Sequence, residues 1–184
     1  NGTYQKLLTN INNLNAERGK IDNETAVFKD VFFKTYTEGL STPTLERILT
    51  LKNYSLDPEI SSLIGTLIQL YTAKENASLE RDFISYFMIK KASIAFDEIA
   101  LWDEFKTRAN VFDIKQVTNP LLRYELEKVL YSENAKQAMD ELAMTSSAVQ
   151  TDMDNGDYTE EALDWFALQT QKITQLSKAE LIVS

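Results

Sequence analysis

Two arginines, each directly preceded by a glutamate, are the residues of this chain that are most suited to binding a ligand. Arg18 directly follows Glu17 near the N-terminus, and Arg81 directly follows Glu80 in the middle of the chain. A guanidinium stays charged and offers a planar fork of donors, which suits a small planar oxyanion such as nitrate, nitrite or a carboxylate. The alternative is that each arginine pairs with a neighbouring acid, and spacing alone favours that interpretation.

The composition of the 184-residue chain argues against several kinds of chemistry. It contains no cysteine and no histidine, which removes disulfides, thiol catalysis, serine triads and the usual zinc motifs. Its formal net charge of -9 argues against nucleic acid or an anionic membrane surface as the main partner. Catalysis would rest on carboxylates, lysines and tyrosines alone, so we expect neither an enzyme nor a cofactor.

An acidic stretch near the C-terminus resembles a calcium loop only superficially. The EF-hand pattern needs acids at its first, third and fifth positions, glycine at the sixth and glutamate at the twelfth. Neither register of residues 151–163 meets these requirements. We therefore expect no metal site there, and predict a loop at residues 154–157 with a cap for the helix that follows.

Scarce turn-forming residues and regular apolar spacing predict an all-α protein. The chain has only 5 Gly and 3 Pro, and no segment sustains the period-two alternation of a strand. A helix of about 20 residues is about 30 Å long. We therefore expect an elongated up-down helical bundle, built either as two stacked four-helix-type bundles or as one long bundle.

Capping signals and apolar periodicity predict the helix boundaries. Starts are predicted at Ser41, at Asp57 and at Asn119, each close to a proline. Gly19 is predicted to stop or kink the first helix, so that the first two helices are either separate or one kinked helix, and Gly39 is predicted to cap the end of the second. The predicted helices span residues 3–18, 23 or 24 to 39, 44–52, 59–74, 79 to about 115 with a soft break at 91–93, 121–131, 134–151 and 159–181. An interruption is predicted at residues 76–78.

Four short elements resemble the nitrate- and nitrite-sensing (NIT) domain family. Residues 14–19, LNAERG, resemble the family's LQxERG element, and residues 44–49, TLERIL, look like its LxxLR element. Residues 73–81, AKENASLER, are similar to its KExAGLER element. Residues 163–176 resemble its WFxxxTxxIxxL close. The elements occur in the family's order, and the resemblance spans nearly the whole chain in patches.

The resemblance implies an all-helical sensor domain whose arginines hold an anion. Arg18 and Arg81 match the arginines of the first and third elements, and Arg47 matches that of the second. We expect Arg18 and Arg81 to converge, with Lys74 or Lys20 adding positive charge. The preceding glutamates would orient the guanidiniums rather than touch the ligand.

The resemblance also implies a setting, because the family occurs as the extracytoplasmic sensor of bacterial chemoreceptors and sensor kinases and in soluble regulators. We expect residues 1–184 to form a single extracytoplasmic helical sensor domain, excised between two membrane helices. The expected protein is a methyl-accepting chemotaxis protein of the inner membrane with this domain in the periplasm. The expected ligand is nitrate, nitrite or a small carboxylate, and the expected assembly is a homodimer that reaches the membrane only through flanking helices.

Two other functions remain open from the sequence. A helical interaction or scaffold domain would use the Glu-Arg pairs as surface salt bridges and bind no small ligand. A carboxylate-only enzyme would need two buried acids that converge. Burial of Arg18 and Arg81, and the presence or absence of neutralising acids beside them, distinguishes the sensor from the scaffold.

Overall fold

The computed structural model describes residues 2–50 and 57–184, apart from the side chain of Thr3, and no strand occurs among them. The prediction of an all-α protein is confirmed. The chain divides into two compact units, Asn1–Leu56 and Asp57–Ser184. The seven α-helices of the described residues are α1 (Gly2–Asp22), α2 (Thr42–Leu49), α3 (Pro58–Lys90), α4 (Phe96–Arg108), α5 (Pro120–Leu130), α6 (Glu133–Asp152) and α7 (Ala162–Val183), and a π-helix (Asp30–Ser41) and a 3-10 helix (Ile114–Gln116) accompany them.

The first unit packs α1 and α2 against the π-helix. The Asn10 side-chain amide on α1 donates to the carbonyl of Gly39 on the π-helix at 2.8 Å. A Cβ at Gly39 would lie 2.9 Å from the Lys34 carbonyl oxygen and 3.2 Å from Asn10 Nδ2. Gly39 therefore permits this close approach inside the π-helix, and the prediction that it ends a helix is wrong.

Three further predictions for the first unit differ from the structure. The predicted stop at Gly19 is wrong, because α1 continues through it to Asp22. Helical structure does not resume at residue 23 or 24, since Glu24 has a positive φ of 57°. The predicted start at Ser41 is confirmed, because α2 begins at Thr42 with Pro43 in its first turn. The predicted hydroxyl cap is wrong, since Ser41 has helical torsions and makes no side-chain capping bond where the π-helix runs into α2. The predicted end at Lys52 lies outside the described residues.

The second unit is built on the pair α3 and α7, with α4 packed on α3 and with α5 and α6 packed on α7. Small side chains let the central pair approach, since Ala73, Ala77 and Ala179 are almost completely buried. An aromatic part of the core joins α3, α4 and α7. There the Trp102 and Trp165 rings meet edge to face, with centroids 6.4 Å apart.

The predicted interruption of α3 at residues 76–78 is wrong, because α3 is one helix of 33 residues. Asn76 donates from its side chain to the carbonyl of Thr72 at 2.8 Å, and Ser78 donates to that of Lys74 at 3.0 Å. Side chains that often compete with helical backbone bonds therefore bond back onto their own helix. Ala77, between them, is fully buried in the core.

The proline-containing starts of α3 and α5 are confirmed. Asp57 caps α3 by accepting one backbone N–H, and Asn119 caps α5 by accepting two. The soft break predicted at residues 91–93 is also confirmed, because left-handed Lys91 (φ 49°) ends α3. Helix α4 stops short of the predicted residue 115, since the Asn110 side chain turns back onto the α4 backbone and a separate 3-10 helix follows.

The loop predicted at residues 154–157 is confirmed, and it packs against the end of α3. Gly156 has a φ of 72°, and a Cβ there would lie 2.7 Å from the Lys91 carbonyl oxygen. The Tyr158 hydroxyl donates to the carbonyl of Ala92 at 2.8 Å. These contacts join the α6–α7 connection to the α3–α4 connection.

The same loop does not cap α7, so that part of the prediction is wrong. The residue that precedes α7 is Glu161, which makes no side-chain capping bond. Asp152 instead accepts both the backbone N–H and the hydroxyl of Thr159, and these bonds lower the pKa of its carboxyl. Across residues 2–50 and 57–184, no three acidic side chains are grouped so that they could hold a metal ion.

Candidate anion site on helix α3

Arg81 lies on α3 and contacts three side chains. Its Nε donates to Asp82 Oδ1 at 2.7 Å, and Nη1 donates to Thr170 Oγ1 at 3.2 Å. Its Cζ lies 4.2 Å from the centre of the Phe166 ring, within the range of a cation–π contact. A guanidinium has five N–H donors, so three of them have no partner among the described residues and can donate to a planar oxyanion.

Two buried tryptophans donate hydrogen bonds to the part of α3 that carries this arginine. The indole N–H of Trp165 on α7 donates to the Arg81 carbonyl at 3.1 Å. The indole N–H of Trp102 on α4 donates to the Glu80 carboxylate at 3.0 Å. Both indoles are completely buried, where their N–H groups need a partner. The Glu80-Arg81 pair is therefore held by α4 and α7 together.

The glutamates do not orient the arginines as predicted. Glu80, which is 3% exposed, accepts the buried Trp102 N–H, and Asp82 is the acid that pairs with Arg81. Glu17 pairs with Lys20 at 2.6 Å, three residues further along the same helix face. Glu80 is therefore bonded to a buried indole, and Glu17 is bonded to a lysine on the same helix.

The remaining predicted arginines belong to the first unit. Arg18 on α1 and Arg47 on α2 are exposed, and within the described ranges neither side chain makes a hydrogen bond or an ion pair. Arg81 belongs to the second unit. Arg18 and Arg81 therefore lie in different compact units, and their convergence stays a prediction.

Lys74 is engaged within the second unit. Its ammonium forms an ion pair with Glu180 on α7 and lies 5.2 Å from the centre of the Tyr71 ring. Burial raises the pKa of Tyr71 to about 12, and the carboxylates of Glu75 and Glu180 contribute to the same shift. Lys74 therefore links α3 to α7 with its charge already balanced.

Sequence reasoning missed the partners of Arg81. Phe166 and Thr170 belong to the closing motif, but nothing in the sequence links them to an arginine almost ninety residues earlier. Their spacing of four residues, which places them on one helix face, was the only available signal. Lys172, which is 8% exposed, gave no signal at all, because lysine is rarely buried.

Comparison with known proteins supports the resemblance carried by the motifs. The sequence model of one family, described as nitrate and nitrite sensing (NIT), matches residues 1–183. No curated protein matches the chain, and no solved structure matches it. The family is a sensor family rather than an enzyme family, and its domains are typically extracellular parts of membrane receptors. In the part of the chain that the structure describes, no helix is long and apolar enough to cross a membrane. The chain belongs to the NIT family of nitrate- and nitrite-sensing domains.

Proposed function

We propose that this domain binds nitrate or nitrite at the Arg81 guanidinium and reports it to a membrane receptor. The proposed receptor is a methyl-accepting chemotaxis protein with residues 1–184 as its single periplasmic sensor domain, between two membrane helices. The observation that carries the proposal is the arrangement at Arg81, where three donors of a partly buried guanidinium have no partner in residues 2–50 and 57–184. Membership in a nitrate- and nitrite-sensing family supports the same ligand class.

The chemistry at Arg81 suits a small planar anion. Nitrate and nitrite present oxygens in one plane, which matches the planar donors of a guanidinium. Phe166 lies against the guanidinium and restricts its orientation, while Thr170 occupies one donor. The chain carries a net charge of -9, so the anion has to be held by this local group against the overall field.

Arg18, Arg47 and Lys74 are the other proposed ligand-binding residues. Arg18 and Arg47 are exposed cations of the first unit, without a partner in the described residues. Lys74 would have to leave Glu180 before it could reach an anion. We therefore assign the main role to Arg81 and secondary roles to these three cations.

Signalling would proceed through displacement of α7 relative to α3, in a homodimer of the receptor. Arg81 on α3 bonds with Thr170 and contacts Phe166, which are both on α7. A ligand shifts a conformational equilibrium only when it binds the two arrangements with different affinity. A coupling free energy of about 1–3 kcal/mol is typical of allosteric proteins. The bond that Arg81 makes between α3 and α7 would supply it.

The test is a calorimetric titration of the chain with nitrate, nitrite, acetate and sulfate. Arg81→Met removes the guanidinium, and Arg108→Met removes the same charge from an exposed position on α4. We expect nitrate or nitrite binding to be lost in the first variant and kept in the second. Arg81→Lys keeps the charge without the fork and should bind about tenfold more weakly. The proposal is wrong if the unchanged chain binds none of these anions, or if both methionine variants bind alike.

A protein-interaction domain without a small ligand is the second candidate, and one observation favours it. Tyr4, Leu8 and Ile11 lie about one turn apart on α1 and are 50%, 36% and 47% exposed. Such a stripe suits a partner helix. The anion titration distinguishes the candidates, because an interaction domain would bind none of the four anions. Sedimentation of the chain and of Leu8→Glu then tests whether the stripe binds a second copy, since that association would be lost in the variant.

A further inference from the structure

A cavity of mixed charge in the second unit is lined neither by Arg81 nor by the side chains that contact it. It has a volume of about 230 Å³ and is bounded by α4, α6 and α7, with one residue from α3. Its polar lining consists of Glu80, Lys106, Asn110, Ser146, Gln169 and Lys172. Met139, Leu142 and Ala143 on α6 form its apolar wall. The lining therefore contains two cations, one carboxylate and three neutral polar groups.

Two buried polar atoms of this lining lack a hydrogen-bond partner among the described residues. They are the Oε1 atom of Gln169, whose residue is 1% exposed, and the Oγ atom of Ser146, whose residue is 6% exposed. Buried polar atoms are nearly always paired in folded proteins, and each exception calls for an explanation. An amide oxygen can only accept and a hydroxyl can do both, so an occupant that pairs with Gln169 would carry a donor.

Lys172 supplies a buried positive charge on the same wall. Its Nζ donates to Asn110 Oδ1 at 3.0 Å, and within the described residues no carboxylate lies within 4.0 Å of it. Burial lowers the pKa of this ammonium, and the Glu80 carboxylate acts in the opposite direction. Lys106 adds a second, partly exposed cation. An occupant with an anionic group would balance this buried positive charge.

We propose that this cavity binds an α-amino acid in its zwitterionic form. The carboxylate would bond with Lys172 and Lys106, and the ammonium with the Glu80 carboxylate and, after rotation of the glutamine side chain, with Gln169 Oε1. The Ser146 hydroxyl can either donate to the carboxylate or accept from the ammonium. Nitrate and nitrite carry no donor for Gln169, and a water molecule carries no charge for Lys172, so neither satisfies the whole lining.

A neighbouring cavity provides room for the side chain of the amino acid. It has a volume of about 390 Å³ and shares Asn110, Met139 and Lys172 with the first cavity. Leu130 and Leu176 contribute apolar surface to it. The structure thus favours an amino acid with an apolar side chain, whose charged end lies in the smaller cavity. This second ligand does not depend on nitrate binding at Arg81.

The first experiment uses the unchanged chain, so it does not depend on how a variant folds. L-alanine and L-leucine are titrated calorimetrically beside L-leucinamide, which lacks the carboxylate, and N-acetyl-L-leucine, which lacks the ammonium. We expect L-leucine to bind and each blocked analogue to bind about tenfold more weakly or worse, since each loses a charged hydrogen bond. The proposal is overturned if neither amino acid binds at about 10 mM, or if the blocked analogues bind as well as L-leucine.

The second experiment locates the site. Lys172→Met removes the buried ammonium, and Lys178→Met makes the same change at an exposed position on α7. We expect L-leucine binding to weaken about tenfold or more in the first variant and to persist in the second. Equal binding by both variants, with both folded by circular dichroism, overturns the assignment. If Lys172→Met does not fold, the analogue series on the unchanged chain tests the proposal instead.

A titration with both ligands separates this proposal from nitrate binding. Nitrate at Arg81 and an amino acid in the cavity would bind to different side chains. The affinity for L-leucine should therefore reach a constant value, rather than keep falling, once nitrate is saturating. An apparent L-leucine affinity that falls in proportion to the nitrate concentration would mean one shared site, and it would overturn the proposal of a second one. L-leucine binding by a chain that does not bind nitrate would refute only the function proposed for Arg81.

Discussion

Replacing Asp82 with asparagine is expected to strengthen nitrate binding at Arg81. Asp82 Oδ1 accepts from Arg81 Nε at 2.7 Å, and the two side chains are 45% and 20% exposed. The carboxylate therefore competes with an incoming anion for the charge of one guanidinium. Asparagine keeps the size of the side chain and an acceptor oxygen but removes the negative charge, so Asp82→Asn isolates the electrostatic part of the competition.

The expected size of the effect follows from distance and exposure. Two unit charges 4 Å apart interact by about 1 kcal/mol in water and by about 4 kcal/mol at an effective dielectric constant of 20. Nitrate at the free donors would lie farther from Asp82 than this, and the half-exposed carboxylate is well screened. We therefore expect a gain of about 0.5–1 kcal/mol, which is about two- to fivefold tighter binding.

Calorimetric titration with nitrate measures this effect directly. Asp103→Asn is the matched control, because Asp103 is an exposed residue of α4 and its replacement removes the same charge. At about 0.15 M ionic strength the screening length is about 8 Å, so the control should change nitrate affinity little while Asp82→Asn keeps most of its gain. Nitrate affinity that is unchanged or weaker in Asp82→Asn would refute the reasoning, because Asp82 would then position the guanidinium rather than compete at it.

Three further predictions concern the framework of the second unit. Trp102→Phe should lower the free energy of unfolding by about 2–4 kcal/mol, because it leaves Glu80 without its buried donor and opens a gap; a loss under 1 kcal/mol in urea would contradict the importance of this bond. Gly156→Ala should cost about 2–4 kcal/mol, since φ is 72° and the new Cβ would overlap backbone; an unchanged melting temperature would contradict the close approach. Absorbance titration of Tyr71→Phe should remove one of the two tyrosines of the described residues with a pKa of about 12 and leave Tyr158. Because the pKa of Tyr71 is raised in the folded state, its contribution to stability is complete below pH 10 and is lost as the pH rises towards 12.

Local signals in the sequence could predict the helical class and several boundaries. Asp57 and Asn119 each combine a side-chain acceptor with a following proline, and that combination starts a helix without help from distant residues. The signals failed where packing outweighs local preference. Asn76 and Ser78 look like a break in the sequence, yet burial of Ala77 against the core keeps α3 helical there.

The candidate site could be predicted only in part, for the same reason. Arg81 stands out in the sequence because it lies in a recognisable motif, so the sequence identified the cation. Its partners Phe166 and Thr170 become neighbours only when α7 packs along α3. No spacing or composition reports which faces of two distant helices meet. The mixed-charge cavity around Lys172 depends on the packing of several helices and was unpredictable for that reason.

Helix α7 connects the two sites proposed for this domain. Thr170 bonds with Arg81, and the adjacent Gln169 lines the mixed-charge cavity. Successive residues of a helix point in different directions, so one helix presents one face to each site. If α7 moves as one body when nitrate binds, the cavity changes too, and the affinities of nitrate and L-leucine must change by the same factor in both titrations. Two ligands that bind with no mutual effect would show that α7 does not move as one body, and signalling by its displacement would then be wrong.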